Sequence, residues 1–392
     1  MNHDFIYDIP VRIYFGVNQL SHLGEELKKY GKKVLLAYGG GSIKKTGLYD
    51  KVTAEMKKAG ITVFELGGID PNPRIDSVRE GGKLCKKEKI DAVLAVGGGS
   101  TLDCAKYIAA AACYDGDPWD FFDQDVWAPI PRALSLVTVL TLSATGSEMD
   151  CGGVITNTET NDKIGRMEPA LLPKVSFLDP SNTYTVSPYQ TACGAADILS
   201  HIFEVYFSTD NDLYMLDCMA EGLIKTVIKY TPVAIKNPND YDARANLMWA
   251  SSWAINGFLN GCKKQAWSCH PMEHELSAFY DITHGLGLAI LTPRWMRYTL
   301  DDTTLPKYKQ FGINVFGIDP TLPDRKIAET AIDKLSEFLF ETIGLKSTLS
   351  EIGITDEHFA VMAAKAERIG NTVNGFKPLK AADIEAIYRM CL

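Results

Sequence analysis

Two regimes of hydrophobic periodicity divide this chain and restrict what it can fold into. In the first half, short apolar runs at 34–38, 62–66, 92–96 and 134–142 read as buried strands, and the pieces between them, such as 49–59 and 75–88, read as amphipathic helices. That alternation argues for a parallel sheet with helices on its faces, because parallel neighbours need crossover connections. Between about 151 and 180 the pattern becomes short and rich in Thr and Gly. In VITNTETNDKIG the NTETND turn separates two antiparallel strands, an expected appendage on the sheet. After DPSNTYTVSP the strand signals stop, and helical patterns at 189–207, 213–230 and 327–342 take over. The expectation is an α/β domain over residues 1–185 and a helical domain over 186–392.

The length, 392 residues, supports two domains, since single cores stop growing near about 250–300 residues. A net charge of −9 argues against a nucleic-acid or anionic-membrane surface, both of which need a field of Lys and Arg. The nine cysteines include no Cys-x-x-Cys pair, which disfavours a disulfide frame or a thiolate zinc knuckle and predicts buried thiols in a reducing interior. The start, MNHDFIYDIP, lacks the basic and apolar runs of a signal peptide, and no run of about eighteen apolar residues occurs. A cytoplasmic protein is expected.

Two glycine turns, YGGGS at 38–42 and VGGGS at 96–100, each follow an apolar strand and precede a helix. Glycine lets the backbone turn sharply, so peptide N–H groups and the positive end of the next helix can approach a phosphate. Gly97, Gly98, Gly99 and Ser100 suit that role, with Ser100 as the N-cap and Asp103 at the third helical position. The competing reading is a plain tight turn, since neither copy has the spaced G-x-G-x-x-G or P-loop pattern. The first copy, Gly39, Gly40, Gly41 and Ser42, is followed by Lys44 and Lys45 and carries no acid to repel a ribose 2′-phosphate. Those lysines also read as an ordinary solvated helix start.

The stretch CHPMEHELSAFYDITHG at 269–285 holds three of the seven histidines. It is not a zinc-protease helix, because Pro271 follows His270 where His-Glu-x-x-His needs glutamate. His270 and His274 nevertheless share one helical face, as do Asp197 and His201 upstream. One carboxylate with three imidazoles makes an oxygen and nitrogen set suited to Fe²⁺ or Zn²⁺. The five candidates, Asp197, His201, His270, His274 and His284, exceed four positions, and a surplus histidine can carry a proton at neutral pH. Lone histidines such as His3, His22 and His358 read as ordinary structural residues.

Taken together, GGGS-x-x-D-x-A-K at 97–106, TLSATGSE at 141–148, D-x-x-x-H at 197–201, HPMEHEL at 270–276 and HGLG at 284–287 resemble the iron-containing alcohol dehydrogenases over almost the whole chain. YGGGSIKKTG at 38–47 and GGIDPNP at 67–73 resemble, more narrowly, its butanol dehydrogenase and broad-specificity aldehyde reductase branch. The resemblance implies a Rossmann-like dinucleotide-binding α/β domain and an all-α domain in a dehydroquinate synthase-like fold, with the active site between them. It implies Asp197, His201, His270 and His284 as metal ligands and His274 as the histidine near substrate and nicotinamide. Gly98, Gly99 and Ser100 would hold the pyrophosphate and Asp103 would sit near the nicotinamide. Asn72, Thr141, Thr145 and Lys163 would complete the cofactor site, although without the resemblance the two threonines read as strand-end residues and Lys163 as a solvated turn residue. Members that prefer NAD often have an aspartate where this chain has Gly39, which favours NADPH, while the same branch includes NADH-dependent enzymes. A homodimer is also implied.

The expected reaction is interconversion of short-to-medium primary alcohols and aldehydes by hydride transfer. Trp253, Phe258, Trp267 and Phe279 are candidate apolar walls for a short alkyl chain, with plain core as the competing reading for single aromatics. A metal-free Tyr-x-x-x-Lys design is absent from the sequence. Two alternatives stand beside this reading: a dehydroquinate synthase-like lyase, which would need more basic residues for a phosphorylated substrate, and a non-catalytic nucleotide or metal sensor.

Overall fold

The computed structural model describes residues 4–209, 213–261 and 266–392; His3 and Cys262 lie outside them. Two compact units emerge, one of Asp8–Val186 with Pro238–Met248, the other of Met1–Tyr7, Ser187–Asn237 and Trp249–Leu392.

The first unit is built on six strands: β1 (Arg12–Phe15), β2 (Lys33–Tyr38), β3 (Thr62–Leu66), β4 (Ala92–Gly97), β5 (Ser135–Leu140) and β8 (Val175–Leu178). All pair in parallel, in the order β1-β8-β5-β4-β2-β3. Helices α1 (Leu23–Lys28), α2 (Ser42–Lys45), α3 (Leu48–Lys58), α4 (Ile75–Glu88) and α5 (Gly99–Ala111) connect them. Val34 to Ala37 and Ala92 to Val96 are fully buried, as expected of strands covered on both faces. Leu23, Leu27, Val52 and Met56 pack on Val34 and Leu36 to form the core of one face. Where α4 meets α5 the backbones approach so closely that a Cβ on Gly81 or Gly82 would lie 2.6 or 2.8 Å from Ile108 or Ala111.

The chain runs outward from β2 to β3 and then returns to the other side of β2 as β4. Strand order therefore reverses at β2 and β4, whose ends are in register at Tyr38 and Val96. Both glycine turns sit at the carboxyl ends of these two neighbouring strands, the place where open parallel sheets bind ligands. The appendage is a separate antiparallel pair, β6 (Gly152–Asn157) and β7 (Asp162–Met167). Two strands went unread in the sequence. RIYF is a short edge strand, and VSFL was absorbed into the appendage but pairs between β1 and β5.

The second unit is helical: α6 (Pro188–Tyr206), α7 (Tyr214–Lys236), α9 (Cys269–Tyr280), α10 (His284–Thr299), α11 (Leu305–Phe316), α12 (Asp324–Glu337), α13 (Phe359–Gly370) and α14 (Ala381–Met390), with α8 (Tyr241–Ile255) divided between the units. Helix α6 starts on a strong signal: Pro188 in its first turn and the Ser187 hydroxyl accepting from the Gln190 N–H at 3.2 Å. From Thr191 to Tyr206 every residue of α6 is buried, so it is the central helix. Helix α10 packs against it at Gly285, where a Cβ would lie 2.2 Å from the Cys193 carbonyl oxygen. The pattern at 327–342 resolves into α12 followed by a π turn over Phe338–Thr342.

The cysteines depart in part from expectation. Among those described all are free and five are buried, but Cys113 and Cys151 are half-buried and Cys218 is exposed, on the outward side of α7. No described helix is long and apolar enough to cross a membrane.

Candidate functional sites: a glycine turn and a histidine cluster

The turn after β4 differs from the expected cap. Helix α5 begins at Gly99 with Gly98 as its N-cap in extended conformation, and no side chain caps it. Ser100 is therefore the second helical residue and Asp103 the fifth, too far along to close a capping box. The N–H groups of Thr101 and Leu102 already donate to the Gly98 carbonyl, so the donors of the first turn that a ligand could still engage are those of Gly99 and Ser100. Thr145 packs directly on this turn: a Cβ on Gly99 would fall 2.3 Å from its Oγ1 and Cγ2. Thr141 extends the pairing of β4 with β5, its N–H donating to the Gly97 carbonyl at 3.0 Å.

Asp103 is buried beneath the turn. Its carboxylate accepts from Ser147 Oγ at 2.6 Å and from the Val154 N–H at 3.0 Å, tying the 141–154 segment to α5. Burial pushes its pKa up to about 6, with Lys106 pulling the other way. Lys106, wholly buried, reaches Asp150 Oδ1 at 2.5 Å and the carbonyls of Asp150 and Gly152 at 3.0 and 2.6 Å. Asn72 and Lys163, far apart in sequence, meet: Lys163 Nζ donates to Asn72 Oδ1 at 3.0 Å, and Asn72 has a positive φ of 49°. Gly39 to Ser42 form the neighbouring turn, with Gly41 at φ 94°. Lys44 is engaged by Glu65 at 3.8 Å and by the rings of Tyr38 and Tyr49 at 4.9 and 4.7 Å. A 2′-phosphate would have to compete for it.

In the helical unit the predicted metal ligands converge. Asp197 Oδ1 lies 3.7 Å from His201 Nε2, 3.8 Å from His270 Nε2 and 3.6 Å from His284 Nε2. Asp197 and His201 stand one turn apart on α6, His270 is in the first turn of α9, and His284 is the first residue of α10. Asp197, His201 and His270 are buried, and neither Asp197 Oδ1 nor His270 Nε2 has a hydrogen-bond partner among the described residues. Buried polar atoms aimed at one point without bonds are costly unless a cation belongs there. Ligand bonds of about 2.0–2.2 Å in a tetrahedron place ligand atoms about 3.3–3.6 Å apart, and the three distances from Asp197 Oδ1 come near that; Asp197, His201 and His270 form one mutually close group, while His284 also groups with Glu273 and His274. The residues present fit a divalent metal.

The electrostatics agree. Burial would raise the Asp197 pKa, but the three imidazoles hold it well below the usual carboxylate range. Burial, helped by His270 and His284, drives His201 down to about 3. For His270 burial acts downward too, yet Asp197 and Glu204 outweigh it and bring it up to about 9. A cation in the cluster would displace that proton.

Two glutamates that motif reading passed over orient the candidate ligands. Glu204 Oε1 accepts from the His270 N–H at 2.8 Å and meets His270 Nδ1 at 3.1 Å, while Oε2 accepts from the Ser268 N–H at 2.7 Å. It thus caps α9 from α6 and fixes the tautomer that leaves Nε2 for a metal. Glu273, fully buried, bonds His284 Nδ1 and accepts from Ser277 Oγ at 2.5 Å. A helical signal existed for both: Glu204 continues the face of Asp197 and His201 at i+7, and Glu273 follows His270 at i+3. His274 is half-buried, its ring centroid 5.6 Å from that of His284 and 6.2 Å from that of His270. Of the expected apolar walls, Trp267 lies against His270 and His201 at 4.7 and 5.8 Å. Trp253 and Phe258 instead pack on each other, and Phe279 packs on His358.

Comparison with known proteins accords with this geometry. The family described as iron-containing alcohol dehydrogenase matches residues 10–180, and the C-terminal region of the Fe-containing alcohol dehydrogenase family matches residues 191–392. NADH-dependent butanol dehydrogenase B of Clostridium acetobutylicum is 50% identical over 98% of this chain and 99% of its own length. NADPH-dependent aldehyde reductase YqhD of Escherichia coli is 38% identical over 95% of each. The crystal structure of NADH-dependent butanol dehydrogenase A from Thermotoga maritima superposes with a TM-score of 0.94 at 39% identity, covering 99% of this chain and 98% of that one. With matches spanning both units, the chain belongs to the iron-containing alcohol dehydrogenase family.

Proposed function

We propose that this chain is a metal-dependent, NAD(P)H-linked oxidoreductase that interconverts short-to-medium primary alcohols, such as butanol, and the corresponding aldehydes, acting in the cell as an aldehyde reductase. The observation that carries the reading is the convergence of three imidazole nitrogens within 3.6–3.8 Å of one carboxylate oxygen. In the reducing direction an aldehyde, one hydride from C4 of the reduced nicotinamide and one proton give the alcohol and the oxidised coenzyme.

Asp197, His201, His270 and His284 hold the metal in this reading, and Glu204 and Glu273 keep the imidazoles turned toward it. A bound Fe²⁺ or Zn²⁺ supplies Lewis acidity, polarising a carbonyl oxygen and lowering the pKa of an alcohol. His274, beside His284 and half-buried, relays the proton between the substrate oxygen and solvent through its imidazole nitrogens. The N–H groups at Gly98, Gly99 and Ser100 receive the coenzyme pyrophosphate, with Gly97 allowing the turn. Gly39 to Ser42 approach the adenosine ribose, and Asn72, Thr141, Thr145 and the Lys163 side chain position the remaining half of the coenzyme. Asp103 acts by holding the 141–154 segment in place. A homodimer in the cytoplasm completes the proposal; light scattering on the purified protein tests the dimer.

The decisive experiment starts from metal-free protein. Fe²⁺ or Zn²⁺ is restored separately, and loss of reduced-nicotinamide absorbance is followed with butanal and NADPH, then NADH. Metal-dependent oxidation of either coenzyme is expected. No oxidation with any metal, coenzyme or small aldehyde sinks the reading.

A further inference from the structure

The indole of Trp267 lies against two of the cluster's imidazoles. Its centroid is 4.7 Å from that of His270 at an interplanar angle of 53°, and 5.8 Å from that of His201 at 49°. His201 and His270 themselves stack at 4.7 Å and 16°. Each of the three rings thus contacts the other two. The large aromatics of this unit's core, Phe203, Phe207, Trp295 and Phe311, are buried against one another, whereas Trp267 is only half-buried.

The backbone around Trp267 is held on both sides. The Ala266 N–H donates to the Asn374 carbonyl at 3.0 Å, and the Ser268 N–H donates to Glu204 at 2.7 Å. Gly375 presses on the same segment, since a Cβ there would lie 2.6 Å from Ser268 Oγ. The carboxylate that orients His270 therefore also fixes the residue next to the indole. A ring so anchored cannot yield cheaply to a substrate that collides with it.

From this arrangement we infer that Trp267 is the specificity-determining wall beside the reacting carbon, selecting aldehydes unbranched at the carbon next to the carbonyl. This rests on the function proposed above. With an aldehyde oxygen at the cluster, an indole fixed on two of its imidazoles would crowd a second substituent on that carbon, while an unbranched chain would lie along its face. One extra or missing methyl group against such a wall changes kcat/KM by about 10-fold or more.

The test uses the metal-loaded full-length enzyme, with Trp267→Ala and Trp267→Phe beside wild type. Metal content is measured first, then kcat/KM for butanal and for 2-methylpropanal. The ratio of the two is expected to favour butanal in wild type and to fall about 10-fold in Trp267→Ala, with Trp267→Phe between them. A second readout does not depend on turnover. Co²⁺ added to metal-free wild type should quench indole fluorescence, and Trp267→Phe should remove the largest share of that quenching. An unchanged aldehyde ratio at full metal content overturns the wall, and so does loss of metal as the main effect of both variants, which would make Trp267 a support for His270. Failure of wild type to reduce either aldehyde is a different result, because it overturns the proposed reaction itself.

Discussion

In the proposed function the glycine turn at 97–100 and the cluster around Asp197 would bind with different parts of the polypeptide. At the turn the candidate groups are peptide N–H donors at the start of α5; of the side chains nearby, Thr145 packs on the turn while Asp103 and Lys106 are spent on holding the 147–154 segment to α5. At the cluster the working groups are side chains, brought from α6, α9 and α10, and backbone serves as a partner to the glutamates that aim them. A site made of backbone is sensitive to what is added near it. A site made of side chains is sensitive to what is taken away.

The largest effect should therefore come from removing a ligand. His270→Ala deletes one of the three nitrogens around Asp197 Oδ1, so bound metal and metal-dependent aldehyde reduction are both expected to disappear, while binding of reduced nicotinamide persists. Metal analysis by mass spectrometry and a fluorescence titration with NADH separate the two; equal loss of coenzyme binding would break the comparison.

Asp103 probes the scaffold role of side chains at the turn. Burial raises its pKa from 3.8 to about 6, so between those values the folded protein keeps a proton that the unfolded chain has lost. Its contribution to stability is thus fully present below about pH 4 and is lost as pH rises through about 6, amounting to about 3 kcal/mol for a shift of about two units. Asp103→Asn, neutral throughout, should flatten that part of the profile in urea denaturation between pH 4 and 7. Superimposable profiles would show that the carboxyl does not titrate in this window.

How much of this was legible in the sequence follows the same division. Asp197 and His201 could be paired from one helical turn of spacing, and the central strands from their unbroken apolar runs. Ser100 was misplaced because Gly98, with an extended backbone, took the cap position, and a triple glycine gives no side-chain signal for where a helix starts. VSFL was hidden because four residues carry too little pattern to reveal that they join a sheet whose other strands lie earlier in the chain. The meeting of Lys163 with Asn72 depends on how the β6–β7 pair docks beside residues 72–74, which is tertiary information. Glu204 and Glu273 were readable by periodicity, but a carboxylate that acts by aiming an imidazole from behind leaves no motif.

Those two glutamates give the third test. Glu204→Gln and Glu273→Gln keep shape and remove charge, and each is expected to weaken metal binding by about 10- to 100-fold, less than loss of a ligand. Competition against a chelator measures it; unchanged affinity would mean the imidazoles are held by packing alone.

The smallest effect is the most diagnostic for the turn. Gly98 has an ordinary extended φ of −86°, and an added Cβ would approach Leu142 Cβ at 3.3 Å, whereas a Cβ on Gly99 would be driven into Thr145. Gly99→Ala should consequently overpack the fold and cost about 1–3 kcal/mol of stability. Gly98→Ala should leave stability nearly intact and weaken reduced-coenzyme binding by about 10-fold, because its methyl group would stand where the pyrophosphate approaches the backbone. Denaturation midpoints and NADH titrations on the two variants discriminate packing from ligand space. If Gly98→Ala binds coenzyme as well as wild type does, the turn is only a turn, and backbone recognition must be sought at Gly39 to Ser42.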